Sequence, residues 1–426
     1  MRLCPARAAI VGSVILFGSA LSDLARAEWP QWRGPNRDGV SKETGLLQEW
    51  PEGGPPRAWL FEDCGVGYSG PAIVGDRLYT LGAREDEEQL LAIDVKNGKE
   101  LWHAPIGKML EDNWGNGPRS TPTVDGEFIY ALGAQGNIIC ARTDGGQVVW
   151  TRAMEDFGGK VPTWGYSESP IVVDDKVLCT PGGGDGAIIA IDKKTGKELL
   201  WQMKDITTGA HYSSIVKADR QTGPECVQLL ADQVLGFDPN DGKVLWSEPW
   251  PGEVAVIPTP IVRDNLAYVT TGYGVGCMLV EIGDDQSVKK VYENKIMKNK
   301  HGGVILLGDH VFGHSDGVGW ICQDFKTGER MWREREALEM GAIAYADDRF
   351  YCLGEDDGEV VLIEPSTEGW KEHGRFKLDP QTDQRKPAGK IWTHPVICDG
   401  KLYLRDQNLL FCFDVRDGPE ETAAGK

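Results

Sequence analysis

The chain has 426 residues, with 45 Lys and Arg against 65 Asp and Glu, a formal net charge of −20 at pH 7. A surface that acidic repels phosphates and anionic membranes, which argues against nucleic acid as a partner. Length alone suggests two or three domains, but an internal repeat takes precedence over that estimate.

The N-terminus carries Arg2 and Arg7, an apolar run over 8–21, and Ala25-Arg26-Ala27, the charged, apolar and small-residue order of a secretory signal. The fourteen residues of that run make a helix of about 21 Å, short of the roughly 30 Å hydrocarbon core of a bilayer. The expectation is a signal peptide over 1–27, cleaved after Ala27. The chain is then exported, to the periplasm or outside the cell, with no direct membrane insertion after cleavage. Cys4 precedes the apolar run, so it cannot become the lipid-bearing first residue of a mature lipoprotein. Cleavage removes three Arg and one Asp, leaving 42 basic and 64 acidic residues and a net of −22. Residues 28–56 are expected to form an N-terminal extension.

Beyond residue 56 the sequence repeats. Stretches 90–102 (LLAIDVKNGKELW), 138–150 (IICARTDGGQVVW), 188–201 (IIAIDKKTGKELLW), 234–246 (VLGFDPNDGKVLW) and 320–332 (WICQDFKTGERMW) each read as a strand, a tight Gly turn and a strand ending in Trp. Weaker copies follow at 278–292, 360–370 and 409–418. The position after the apolar run falls at Asp94, Arg142, Asp192, Asp238, Ile282, Asp324, Glu364 and Asp414, at intervals of 40 to 50 residues. That is the spacing of propeller blades. Two more strands precede each landmark, joined by turns such as Gly75-Asp76, Asp347-Asp348 and Asp399-Gly400, residue types that tolerate positive φ.

Each repeat is thus expected to be a four-stranded antiparallel meander, and the chain all-β. The last copy ends at Asp417-Gly418 with no Trp-bearing fourth strand, whereas 57–62 (RAWLFE) is such a strand without the three before it. The N-terminal strand should therefore complete the last blade, giving an eight-bladed β-propeller over 57–418 and leaving 419–426 as a flexible tail. Closure removes the open sheet edges that invite aggregation.

The repeat resembles that of the pyrroloquinoline-quinone-repeat propellers, which span quinoprotein alcohol dehydrogenases and a non-catalytic lipoprotein of outer-membrane barrel assembly. The opening Trp29-Pro30-Gln31-Trp32-Arg33-Gly34-Pro35-Asn36-Arg37-Asp38-Gly39 is similar to the start of many secreted members of the group. The resemblance specifies a fold, and a fold hosts unrelated activities.

The recurrent Trp102, Trp150, Trp201, Trp246, Trp332 and Trp59 are expected to dock one blade on the next, with each indole N–H meeting a carbonyl. The landmark Asp should cap its Gly turn. Cys140, Cys322 and Cys412 stand where other blades have Ala92, Ala190 and Gly236, so they are expected to be packing thiols. The disulfide state of Cys64, Cys226 and Cys277 stays open. The acidic runs 85–88 and 355–357 are read as solvated loop charge, and the glycines of 182–184 and 272–276 lack the following helix that a phosphate cradle needs.

Function is left to the loops that lead from one blade to the next and converge on the central channel. They bring candidates Trp114, Asn116 and Arg119, then Trp164, Tyr166 and Glu168, then His211 and Tyr212, then His301, and finally Trp392 and His394. Such a mixture suits a polar ligand held by stacking and hydrogen bonds, or else it plugs the channel. The leading expectation is a non-catalytic binding scaffold with a protein partner in the cell envelope or a small polar ligand. The resemblance also implies an alternative, a quinoprotein dehydrogenase acting on an alcohol or sugar with pyrroloquinoline quinone and calcium. In that case Glu168 and Asn116 would be ligands and Trp164 or Trp392 the platform under the quinone. A glycan or other small-ligand binder is the third reading. No catalytic or metal residue is assigned.

Overall fold

The computed structural model describes residues 27–418 together with Met1. The expected signal, apart from its two end residues, and the expected tail lie outside the described residues. The described chain forms eight four-stranded antiparallel sheets, each a meander of sequence neighbours but for one. Blades 1 to 7 span 72–108, 123–153, 171–202, 216–249, 261–294, 304–334 and 341–377. Blade 8 takes three strands from 396–414 and its fourth from Arg57–Phe61, where Trp59 pairs with Cys412 and Leu60 with Phe411. The ring is therefore closed by the N-terminal strand.

Local chemistry explains why each repeat folds alike. Asp347 and Asp348 both take positive φ, 46° and 58°, which gives a two-residue turn the twist of its flanking strands. The landmark Asp caps its turn: Asp94 Oδ1 accepts from the Lys96 amide at 2.8 Å, and Asp324 Oδ1 from the Lys326 and Thr327 amides at 2.9 and 2.7 Å. Trp59, Trp150, Trp201 and Trp332 donate their indole N–H to Val95, Lys193, Pro239 and Ser366 carbonyls of the following blade at 2.7 to 3.0 Å. The rings of Trp59, Trp102, Trp150 and Trp201 lie against the glycine of the next blade's turn: a Cβ added to Gly196 would come within 2.3 Å of Trp150. Trp246 departs from the pattern and donates to the Glu225 carboxylate of its own blade at 2.7 Å. Trp102 has no indole partner among the described residues.

Blade 7 departs further. Sequence pattern places its terminal Trp at Trp370, but that residue precedes the fourth strand, Glu372–Lys377, and packs 5.7 Å from Trp320. The ladder position opposite Leu362 is Gly374. Trp50 from the N-terminal extension occupies the vacant site, with its Cβ 2.7 Å from where a Gly374 Cβ would lie. Its ring centroid is 5.8 Å from Tyr351, like the 5.9 Å of Trp102 from Tyr79 and the 6.0 Å of Trp150 from Tyr130. Trp50 is buried in the cluster that joins blades 7 and 8.

The rest of the extension threads the central channel and touches every blade. Trp29 exchanges two backbone hydrogen bonds with Ile73 of blade 1, at 2.8 and 2.7 Å, and Val124 of blade 2 donates to Pro30. Arg37 donates to the Ser169 and Ile215 carbonyls at the entries of blades 3 and 4, at 3.0 and 2.9 Å, and to Pro170. Trp32 donates to Thr259 Oγ1 beside blade 5 at 2.9 Å, and Arg33 to the Val304 carbonyl of blade 6 at 2.5 Å. Ser41 donates to Tyr345 of blade 7, and Leu47 to Val415 of blade 8, both at 2.8 Å. Buried Arg405 adds a second clasp across the ring closure, donating from blade 8 to Ser69, Thr80 and Leu81 of blade 1 and its entry.

All nine cysteines of the described residues are buried free thiols. Cys64, Cys226 and Cys277 thus join Cys140, Cys322 and Cys412 as packing residues.

Candidate functional site

With the channel threaded by residues 29–41, the converging loops enclose a funnel of about 380 Å³ above Trp32 and Arg33. The Trp32 ring stands 4.7 Å from His394, and His394 donates its Nε2 proton to the His301 carbonyl at 2.7 Å. Burial lowers the His394 pKa to about 3 and the His301 pKa to about 4, with the neighbouring cations Arg33 and Lys300 acting in the same direction. Both imidazoles are therefore neutral at pH 7.

Aromatic rings make the wall. His301 stacks on Trp392 at 4.6 Å and 27°, and Tyr68 and Trp114 lie 5.0 and 6.4 Å from the same indole. Tyr68 donates to the Trp114 carbonyl at 2.8 Å, which ties the entry of blade 1 to the loop before blade 2. Across the funnel Trp164 and Tyr212 are 5.8 Å apart. Trp114 is 46% exposed at the mouth. The loop from 112 to 119 is held by Arg119, which donates to the Gly115 and Gly117 carbonyls at 2.8 and 2.5 Å.

One carboxyl lines this wall. Glu355 is 6% exposed and accepts the Trp392 indole N–H at 3.0 Å. Burial raises its pKa to about 7. Glu355 and Glu88, both read from sequence as solvated charge, are buried instead. Glu88 accepts the Leu110 and Ala134 amides at 3.1 and 2.8 Å, whereas Asp356, next to Glu355, is exposed and paired with Lys390.

Of the eleven candidates taken from the loops, Trp114, Arg119, Trp164, Tyr212, His301, Trp392 and His394 line the funnel. Four do not. Asn116 turns back to accept the Asp112 amide at 3.1 Å. Tyr166 is buried between blades 2 and 3 and donates to the Pro181 carbonyl at 3.0 Å. Glu168 is buried under Thr180, whose amide and hydroxyl donate to it at 2.6 and 2.9 Å, and burial raises its pKa to about 7. His211 accepts the Val256 amide at 3.2 Å, behind the wall. The lining residues that loop reading missed include Trp32, Tyr68, Tyr273 and Glu355. Only the Trp-rich character of 29–32 hinted at any of them.

The residues present do not fit a calcium-bound quinone. Calcium takes 6–8 oxygen ligands, and no group of three or more His, Cys, Asp and Glu side chains suited to a metal exists among the described residues. The proposed ligands Glu168 and Asn116 do not face the funnel, and Glu355 is the one carboxyl on its wall.

Comparison with known proteins agrees with the architecture. The family model described as outer membrane protein assembly factor BamB matches residues 65–166 and 86–334, more than half of the chain together. The outer membrane protein assembly factor BamB of Burkholderia pseudomallei is 24% identical over 283 residues, 56% of this chain and 70% of that protein. Quinohemoprotein alcohol dehydrogenase from Comamonas testosteroni superposes with a TM-score of 0.63 at 12% identity, covering 95% of this chain and 83% of the other. The computationally designed Ika8 protein superposes with a TM-score of 0.58, also at 12% identity, covering 84% of this chain and 100% of the other. A dehydrogenase and a designed protein on one fold show that the likeness carries architecture alone.

Proposed function

The chain belongs to the propeller family described as outer membrane protein assembly factor BamB, and from that premise we propose that it is a non-catalytic binding scaffold of the cell envelope. Its binding site is the funnel. The observation that carries this reading is a channel floored by the protein's own Trp32 and Arg33 under a wall of Trp and Tyr rings, with Glu355 as its one carboxyl. That carboxyl is spent on the Trp392 N–H, and the two histidines on the wall are held neutral. Glu355 also stands 4.0 Å from His301 Nδ1. No wall hydroxyl is hydrogen-bonded to that carboxyl or to either imidazole among the described residues, since Thr259 accepts from Trp32 and Ser214 from Ser169. The nucleophile–base pair that covalent catalysis needs is therefore not assembled. The exposed aromatic rim suits contact with a partner protein of the envelope, since aromatic anchors dominate such interfaces. No helix of the described residues is long and apolar enough to cross a membrane.

The test places a photoreactive phenylalanine analogue at Trp114 in the full chain, in its native cell envelope. A discrete cross-linked adduct, lost when the same analogue replaces exposed Met331 on the outer strand of blade 6, is the expected result. Equal adducts from both positions, or none from Trp114, would remove the funnel as the contact site. A second reading, a small polar ligand, is favoured by the enclosed cavity, whose volume falls within the range of small-molecule sites.

A further inference from the structure

The funnel wall carries a charge opposite to that of the chain. On a protein of net −20, the charged side chains of the wall are Arg33, Arg119, Lys300 and Lys390 against Glu355 alone. The carboxylates that answer three of these cations stand behind the wall. Lys300 Nζ is 3.1 Å from Asp316, Arg119 is 4.0 Å from Asp112, and Lys390 bonds Asp356, yet none of the three aspartates lines the cavity. Each pair thus puts its positive member on the cavity side.

At the floor this charge has an unmet bond. Arg33 is 5% exposed, and its Nη2 serves the Asp38 and Val304 carbonyls, but its Nε–H has no hydrogen-bond partner. The buried His301 Nδ1 above it is also without one. Buried polar groups are nearly always satisfied, and a charged donor left unpaired is the costliest exception. The Arg33 Nε is itself closed to solvent, so what Arg33 offers the cavity is its charge as a lining residue, beside Lys300 and Lys390. The wall includes, besides its flat rings, the hydroxyl-bearing Ser167, Ser214 and Thr259. Thr259 already accepts the Trp32 N–H and Ser214 the Ser169 amide, which leaves the O–H of each, with that of Ser167, to donate. A ring that carries both C–H faces and hydroxyl oxygens uses rings and donors together.

We propose that the funnel binds an acidic sugar, a pyranose ring bearing a carboxylate, with its C–H face on the Trp392 and Trp114 indoles and its carboxylate met by Arg33, Lys300 and Lys390. The inference rests on the funnel being the binding site. A sugar of one or two rings fits the cavity, and its negative charge is drawn past an otherwise repellent surface by the field of the wall.

The test is calorimetric titration of the full chain with short oligomers of galacturonate and of glucuronate, each against its own methyl ester. The ester keeps the ring and removes the charge. The expected result is binding of the free acid at least about tenfold tighter than its ester, weakening as salt rises. The double variant Lys300→Met, Lys390→Met should remove most of that difference at unchanged circular dichroism, and Trp114→Ala should weaken acid and ester alike. Equal binding of acid and ester overturns the charge assignment and leaves the funnel as the site. No binding of either, with a cross-link still formed from position 114, overturns the sugar and leaves the scaffold. No binding and no cross-link overturns both.

Discussion

Trp50 and Gly374, 324 positions apart in the chain, together make the interlock between blades 7 and 8 that a single Trp, or Tyr292 in blade 5, makes elsewhere. Gly374 leaves the ladder position bare, and the indole of Trp50 is laid over it, 5.8 Å from Tyr351 and 5.2 Å from Phe376.

Trp50→Ala should therefore behave as a core truncation although it lies in a loop. The loss expected for a buried Trp is about 3–5 kcal/mol, read as a lower midpoint in guanidinium unfolding. Half-buried Trp370, the Trp that sequence pattern assigns to this blade, should cost clearly less on truncation to Ala. Equal losses would show that Trp50 is not the docking residue.

Arg37 is buried and holds the carbonyls of Ser169, Pro170 and Ile215 at the inner ends of blades 3 and 4. Arg37→Met strands three acceptors at once. Hydrogen bonds to a charged group contribute about 1.5–3 kcal/mol each, and their losses overlap, so a destabilisation on the order of 3 kcal/mol is expected. Hydrogen exchange should rise first at the inner strands Ile171–Val173 and Val216–Arg220. Faster exchange confined to the outer strands would contradict the assignment.

Glu168 gives the pH dependence a defined sign. Burial holds its folded pKa at about 7, above the unfolded value near 4.3. The native state thus binds the proton more tightly than the unfolded chain. Its stabilising effect is full below the unfolded pKa and is lost as pH rises through about 7. His301 and His394, with pKa values lowered to about 4 and 3, act oppositely between those values and the unfolded 6.5. The wild-type profile therefore hides a cancellation. Glu168→Gln should gain on the wild type by about 3 kcal/mol between pH 4.5 and pH 8, whatever its absolute stability. Urea midpoints that run parallel with pH would refute this.

Residues 28–61 supply the plug, the Trp50 interlock and the fourth strand of blade 8. Removing them exposes the edge of Leu409–Asp414, which now pairs with Arg57–Phe61. An uncovered edge recruits other chains, so the truncated protein should elute at a larger apparent size than the full chain in gel filtration, and an unchanged or smaller size would contradict this.

The propeller was legible because its signals are local and repeated: an Asp that caps a turn, a Gly that admits an indole, and a Trp eight or nine residues after the Asp. Blade 7 read only as a weaker copy ending at Trp370 because its indole comes from another part of the chain, and no periodicity reports a borrowed residue. The funnel was legible wherever a loop side chain keeps to the cavity, as at Trp164 and Trp392. Tyr166 and Glu168 share the loop of Trp164, yet the chain there is already turning into blade 3 and buries them. Glu355 was hidden in an acidic run, since composition does not distinguish a carboxyl drawn into an indole N–H from its solvated neighbour Asp356.

The threading of the N-terminal segment also sets the order in which this molecule can be made. Glu43 accepts the Asp399 amide across 356 residues, and Trp59 meets Cys412 at the other end of the chain. The part synthesised first finds its partners last. Contacts so distant in sequence slow folding. Until blade 8 exists, Trp29, Trp32, Trp50 and Trp59 have nowhere complete to go, so a nascent chain of seven blades is an open arc with a loose aromatic strand. Completion of the ring is then a timing event: the last blade to appear is the one that lets the first residues settle.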